Sequence, residues 1–297
     1  MAQAPATLDA LRREIDEIDD AIQELLIRRT EVSRRVGMTK GPNASALRPA
    51  REAAVLRRLV ARHRGSLPRA VLVRLWREIF SASLAQQISL KVAVGGGAKL
   101  AQLAREQFGV LTPITDLGSP VRAVHAVAEG EAAIAVLPLP SDGEADPWWR
   151  FLGRNGEAVP RIVARLPVAV AAAPSAADGT AALVVTLSPL EASGEDRSYL
   201  ILETAEQISR SALRDWLAKA ELIQRETSAW RDDDTRWLYL IEVEGFVAPD
   251  DARLTRLAGA VESRVVQVTA VGAYAVPFED ADLCDWQSAS KLEARLP

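Results

Sequence analysis

Along the first helix-length stretch of the chain, apolar side chains recur at a strict 3-4-3-4 spacing: Leu8, Leu11, Ile15, Ile18, Ile22, Leu25, then Val32 and Val36, with Arg29 standing in for one member of the series. Such a heptad seam belongs to an α-helix that packs along another helix. Gly41-Pro42 ends the run, so the helix spans roughly 33 residues, or about 50 Å at 1.5 Å per residue. That is too long for its own short domain to cover, and a partner chain is implied. A guanidinium at a seam position costs several kcal/mol of desolvation unless an anion meets it. Lys40 follows eleven residues later, which at about 100° per residue returns it to within roughly 20° of the Arg29 face. Two cations therefore line one seam. The competing explanation is that Arg29 pairs with a buried carboxylate while Lys40 snorkels at a helix end.

A second helix begins near Pro49, with Arg51-Glu52 in its first turn and Val55, Leu56, Leu59 and Val60 on its apolar face. Glu52 there is at least a partner for the helix dipole. A third helix is expected from about Pro68 to Leu90, with Leu72, Leu75 and Ile79 inward and Ser83 and Gln87 continuing the same stripe as polar groups.

Charge divides the chain unevenly. Residues 1–90 hold sixteen Lys/Arg against ten Asp/Glu, a balance of +6, and the remaining residues hold twenty against thirty, a balance of −10. The basic part should meet the anion. Its arginines alternate with acids along helices, with no aromatic platform, helix-turn-helix pattern or basic tail, which argues against nucleic acid. No stretch approaches the roughly 18 apolar residues of a membrane span, and Met1 to Leu8 carries no secretory pattern, so the cytoplasm is the expected compartment. One cysteine, Cys284, and two scattered histidines, His63 and His125, give no basis for a disulfide or a structural metal site.

Read together, Leu11-Arg12-Arg13-Glu14-Ile15-Asp16, Leu25-Leu26-Ile27-Arg28-Arg29, Val36-Gly37-x-x-Lys40, Arg51-Glu52 and Ser83-x-x-x-Gln87 resemble the all-helical chorismate mutases over residues 8–88. The resemblance implies a three-helix domain that forms an interlocked homodimer, with chorismate as substrate, prephenate as product and no cofactor. It implies further that Arg29 binds one substrate carboxylate and Arg12, from the other subunit, the second. Lys40 and Gln87 would donate to the ether oxygen, Glu52 would accept from the ring hydroxyl, and Ser83 would be a secondary carboxylate contact. Arg48 stands where many members of that family have an aspartate, so its role as a substrate ligand is open. Arginine suits carboxylate binding because its planar fork grips bidentately and stays charged.

Beyond Leu90 the pattern changes to short strands and helices: Lys91 to Val94 and Ala132 to Leu137 as strands, Lys99 to Phe108 and Pro120 to Ala128 as helices. This segment, expected at 91–190 as a small single-lobe α/β domain, resembles the start of a prephenate dehydratase, but in eroded form. Gly95-Gly96-Gly97 stands for a turn with Thr and Ser, Leu137-Pro138-Leu139-Pro140-Ser141 for Val-Pro-x-Glu-Asn, and Thr180-Ala181-Ala182 for Thr-Arg-Phe. The segment is too short for a second lobe, and no dehydratase activity is expected.

Residues 191–297 read as strand, helix, strand, strand, helix, strand, the order of a ferredoxin-like α+β unit. Leu238 to Gly245 and Val271-Gly272-Ala273-Tyr274 resemble ACT amino-acid-sensing domains, whereas Ser211-Ala212-Leu213 and Glu226-Thr227-Ser228-Ala229 have drifted from the ligand motifs of the phenylalanine-sensing members. Whether an amino acid regulates the chain is left open. The function expected is a chorismate mutase without dehydratase activity. The alternatives are a bifunctional mutase/dehydratase and a non-catalytic dimeric sensor or scaffold.

Overall fold

The computed structural model describes residues 7–39, 47–153, 159–173, 178–232, 236–260 and 265–283. Lys40 and Cys284 lie outside them. Three helices come first: α1 (Leu8–Thr39), α2 (Pro49–Arg62) and α3 (Arg69–Ala85). α1 has no buried residue, and its seam stands in solvent, with Leu25 63% exposed. α2 opens on Pro49, whose fixed φ suits a first helical position and whose missing N–H would have gone unpaired there. α3 stops at Ala85, short of the Leu90 expected, so Gln87 sits in the turn beyond it with its backbone N–H on Leu84 O at 2.9 Å. Its buried side chains include Val73, Arg77, Phe80 and Leu84. Leu75, expected inward, is instead 48% exposed.

The next elements are β1 (Val92–Val94), α4 (Ala98–Phe108), β2 (Ile114–Asp116), α5 (Pro120–Ala128) and β3 (Ile134–Pro138). β1 pairs in parallel with both β2 and β3. α5 starts where Ser119 caps it, its side chain accepting from the Arg122 backbone N–H, with Pro120 in the first turn. Two antiparallel strands, β4 (Arg161–Leu166) and β5 (Ala182–Thr186), widen the sheet. Then come β6 (Asp196–Thr204), α6 (Arg210–Lys219), β7 (Gln224–Asp232), β8 (Arg236–Glu244), α7 (Ala252–Ala260) and β9 (Val265–Ala275), followed by α8 (Asp280–Leu283). Within this last group the strands lie in the order β9-β6-β8-β7 and all pair antiparallel.

The two sheet regions are one. The strand order runs β2-β1-β3-β5-β4-β9-β6-β8-β7, and the join is a parallel pairing of β4 with β9 at Ile162 and Gly272. A Cβ on residue 272 would stand 2.4 Å from the Ile162 Cβ, so only glycine lets the strands meet. A common core crosses the join, with Trp148, Leu152 and Ile162 packed among Tyr199, Leu240, Val271 and Tyr274. Glu242, 1% exposed, hydrogen-bonds the Tyr274 hydroxyl and lies 3.6 Å from Arg165 on β4. Burial first, and then the Glu242 charge, push the Tyr274 hydroxyl up to about 12.

The helical unit docks on this sheet through α2 and α3. Leu56, Val60, Val73 and Phe80 share a cluster with Ala169, Ala172 and Leu283. Arg57 donates to the carbonyls of Ser193 at 3.1 Å, Glu195 at 2.8 Å and Val276 at 3.2 Å. Among the described residues, no helix is long and apolar enough to cross a membrane.

Candidate active site

Each of the three first helices contributes a one-sided stripe to a single open cleft of about 460 Å³. α1 supplies Arg29, Ser33 and Val36; the start of α2 supplies Arg48, Arg51, Glu52 and Val55; α3 and the turn after it supply Phe80, Ser83, Leu84 and Gln87. These spacings of three, four and seven residues put each set on one helix face. Burial pulls the Arg29 guanidinium below its ordinary value, and the nearby Glu52 carboxylate pushes it back up. An arginine so shifted still carries its charge at neutral pH.

The polar groups in the cleft hold one another in place. Arg29 Nη1 donates to Ser83 Oγ at 2.7 Å, and that hydroxyl donates in turn to Ile79 O at 2.7 Å. The Arg29 guanidinium lies 5.5 Å from the centroid of the Phe80 ring, within cation–π range. Gln87 Nε2 donates to Ser33 Oγ at 3.3 Å and to Ser83 O at 3.2 Å. Gly37 leaves room for it, since a Cβ there would approach Gln87 Cγ to 3.0 Å. Glu52 Oε2 accepts from Arg77 Nη1 at 2.7 Å. Arg48, at the rim, pairs with both carboxylate oxygens of Glu191, Nη2 to Oε1 at 2.8 Å and Nε to Oε2 at 3.0 Å.

Of the residues expected at the site, Arg29, Arg48, Glu52, Ser83 and Gln87 are therefore gathered on one cleft. Arg12 is not among them: it is exposed on α1 beside Asp9 at 3.5 Å, about 26 Å along the helix from Arg29 at 1.5 Å per residue. Lys40 lies outside the described residues. Sequence reasoning missed Ser33, Phe80, Arg51 as a lining group, and Arg77. Arg77 did carry a signal, because it interrupts the apolar stripe Val73, Phe80, Leu84 just as Arg29 interrupts the seam of α1.

Residues 11–88 match the protein family described as Chorismate mutase type II, and the helical unit is a domain of that kind. The chain is 32% identical over 145 residues to a bifunctional chorismate mutase/prephenate dehydratase of Pseudomonas aeruginosa, covering 46% of this chain and 40% of that protein. It is 39% identical over 109 residues to the protein of the same description from Neisseria gonorrhoeae, covering 35% and 30%. The chain thus spans less than half the length of these curated relatives. Among solved structures, one titled as a novel type of quorum quenching acylase aligns with a TM-score of 0.46 at 19% identity, over 64% of this chain and 95% of that one. Prephenate dehydratase from Arthrobacter aurescens in complex with L-Phe aligns at 0.45 and 12% identity, over 70% and 100%.

Proposed function

We propose that this chain is a chorismate mutase, acting as a homodimer on chorismate through the α1–α2–α3 cleft. The observation that carries the reading is the convergence of Arg29, Glu52, Ser83 and Gln87 on one cleft inside a segment of the matching family. The bare seam of α1 and the distance of Arg12 from its own cleft support the dimer. In it, the partner subunit's Arg12 is brought to this cleft and α1 is covered by its counterpart.

The reaction needs no nucleophile and no proton transfer. One C–O ether bond breaks as one C–C bond forms within the same molecule. The site therefore has two tasks: to hold the compact conformer in which the two carbon ends meet, and to stabilise negative charge growing on the ether oxygen. Arg29 and the partner's Arg12 grip the two carboxylates and supply the first. Lys40 and Gln87 donate to the ether oxygen and supply the second, a preorganised donor of this kind contributing roughly 3–4 kcal/mol. Glu52 accepts from the ring hydroxyl, Ser83 orients Arg29, and Arg48 is a candidate ligand that would have to exchange Glu191 for substrate.

Dehydratase activity is not part of the proposal. In the glycine turn of residues 95–97 the Gly97 N–H is engaged internally, donating to Asp116 Oδ2 at 3.1 Å, and the polar residues of the dehydratase motifs are absent. The segment 191–297 is proposed as an ACT-like unit, supported by its strand order. Leu213 and residues 226–229, the drifted motifs, line one cavity of about 680 Å³ together with Arg210 and Arg214.

The test is loss of chorismate absorbance by the purified protein beside Arg29→Ala, with product assayed for phenylpyruvate before and after acid. Turnover that falls on the order of 10³-fold in the variant, with phenylpyruvate only after acid, is the expected result. Phenylpyruvate before acid would establish the bifunctional reading, and no turnover in the wild type would leave a binding or scaffolding protein.

A further inference from the structure

Arg77 lies outside every role assigned above, yet it is the most buried charged side chain of α3, 6% exposed. Its Nη1 pairs with Glu52 Oε2 at 2.7 Å, and the two side chains are largely withdrawn from solvent. Its remaining nitrogens turn away from the cleft: Nε donates to Gln107 O at 3.2 Å and Nη2 to the same oxygen at 3.0 Å. The Gln107 amide, oriented with its oxygen toward the guanidinium, accepts from it as well. Gln107 is the penultimate residue of α4, so its carbonyl belongs to the negative end of that helix, where a cation is favoured. α4 is held there by packing, with Leu84 of α3 in one apolar cluster with Leu100, Leu103 and Phe108.

We propose that Arg77 is a positioning residue for the mutase reaction: it fixes the Glu52 carboxylate at the cleft, and it is fixed in turn by the C-terminal end of α4. On this reading, which rests on the proposed mutase activity, the α/β unit completes the mutase site instead of merely trailing it. A half-buried carboxylate requires a partner, and a guanidinium has five N–H groups to satisfy in a fixed fork. Glu52 takes one of them, and Gln107 takes the opposite edge. With that edge bound, the fork cannot swing, and the carboxylate oxygen it holds has one position. The Phe80 ring, 5.8 Å from Arg77 and 5.5 Å from Arg29, ties the same guanidinium to the residue that grips the substrate.

The test compares Arg77→Gln and Arg77→Lys with the wild type in the full chain, each also in a Glu52→Gln background, measuring kcat, KM and the unfolding midpoint. Arg77→Gln should lower kcat on the order of 10²-fold, the size expected of a misplaced group, with a smaller change in KM. Arg77→Lys, able to reach Glu52 but not to bridge it to Gln107, should recover part of the loss. In the Glu52→Gln background the second substitution should change kcat less than about twofold, because a group that acts through Glu52 has nothing left to position. Equal losses in both backgrounds, or a folded Arg77→Gln with wild-type kcat, would overturn the proposal. Should Arg77→Gln not fold, the Arg77→Lys pair decides by the same criterion. Wild-type protein without turnover would overturn the mutase reading and this one together, whereas wild-type turnover with an additive cycle would overturn this one alone.

Discussion

Two places in the molecule aim hydrogen-bond donors at a point where an anion fits, and they end differently. In the helical cleft, Arg29 leans on a neutral serine hydroxyl, Gln87 on a serine and a carbonyl, and the acidic group, Glu52, is bound from behind by Arg77. At the glycine turn, the Asp116 carboxylate already takes the N–H groups of Gly97 at 3.1 Å and Gly118 at 2.8 Å. Among the described residues, the turn is hydrogen-bonded by a carboxylate of the chain's own, whereas Arg29 hydrogen-bonds a neutral hydroxyl and only feels the charge of Glu52, which is paired with Arg77. A binding site is recognised by charge that the fold leaves uncompensated, and by that criterion the cleft qualifies while the turn does not.

The sharpest way to break this contrast is at Gln87. Gln87→Ala should lower kcat on the order of 10²- to 10³-fold, as loss of one preorganised donor does, whereas the wild-type rate should stay nearly flat from about pH 5 to 8, since an amide donates at any pH. A steady-state pH profile checks both, and activity confined to acid would remove Gln87 from the ether oxygen. Next in size is the seam of α1: if the proposed dimer holds, Leu25→Glu should yield monomers in sedimentation and depress turnover by at least about tenfold, because the cleft would lose the partner subunit's Arg12. At the sheet join, Gly272→Ala should destabilise the fold by about 1–3 kcal/mol through overpacking against Ile162, seen as a lowered denaturant midpoint. The smallest effect is expected at the turn. Asp116→Ala should leave mutase kcat within about twofold of wild type, and a large loss there would mean that the two regions are not independent.

Much of the cleft was legible before any coordinates. Arg29, Ser83 and Gln87 stood out because each is a polar group at helical spacing from the apolar residues that orient its helix, whereas Glu52 was singled out by the family resemblance. Arg48 was placed at the cleft, but its ion pair with Glu191, 143 residues away, was not foreseeable. The strands β2 and β4 escaped for different reasons. β2 is three residues long, and in β4 two arginines obscure the apolar alternation, although Arg161 reaches Leu152 O at 3.3 Å and Ala270 O at 3.2 Å.

The sequence by itself determined the helical period of the N-terminal unit, the seam that asks for a second helix and the cationic stripe. These are short-range facts, set by which side chains recur at i+3, i+4 and i+7. The tertiary structure alone decided that β4 meets β9 at Gly272, that Asp116 fills the glycine turn, and that Glu52 is held by Arg77 and, through it, by the end of α4. Those outcomes join residues 19, 25, 30 and more positions apart. Such pairings are fixed by how finished elements pack on one another, and no local pattern in the chain encodes the partner.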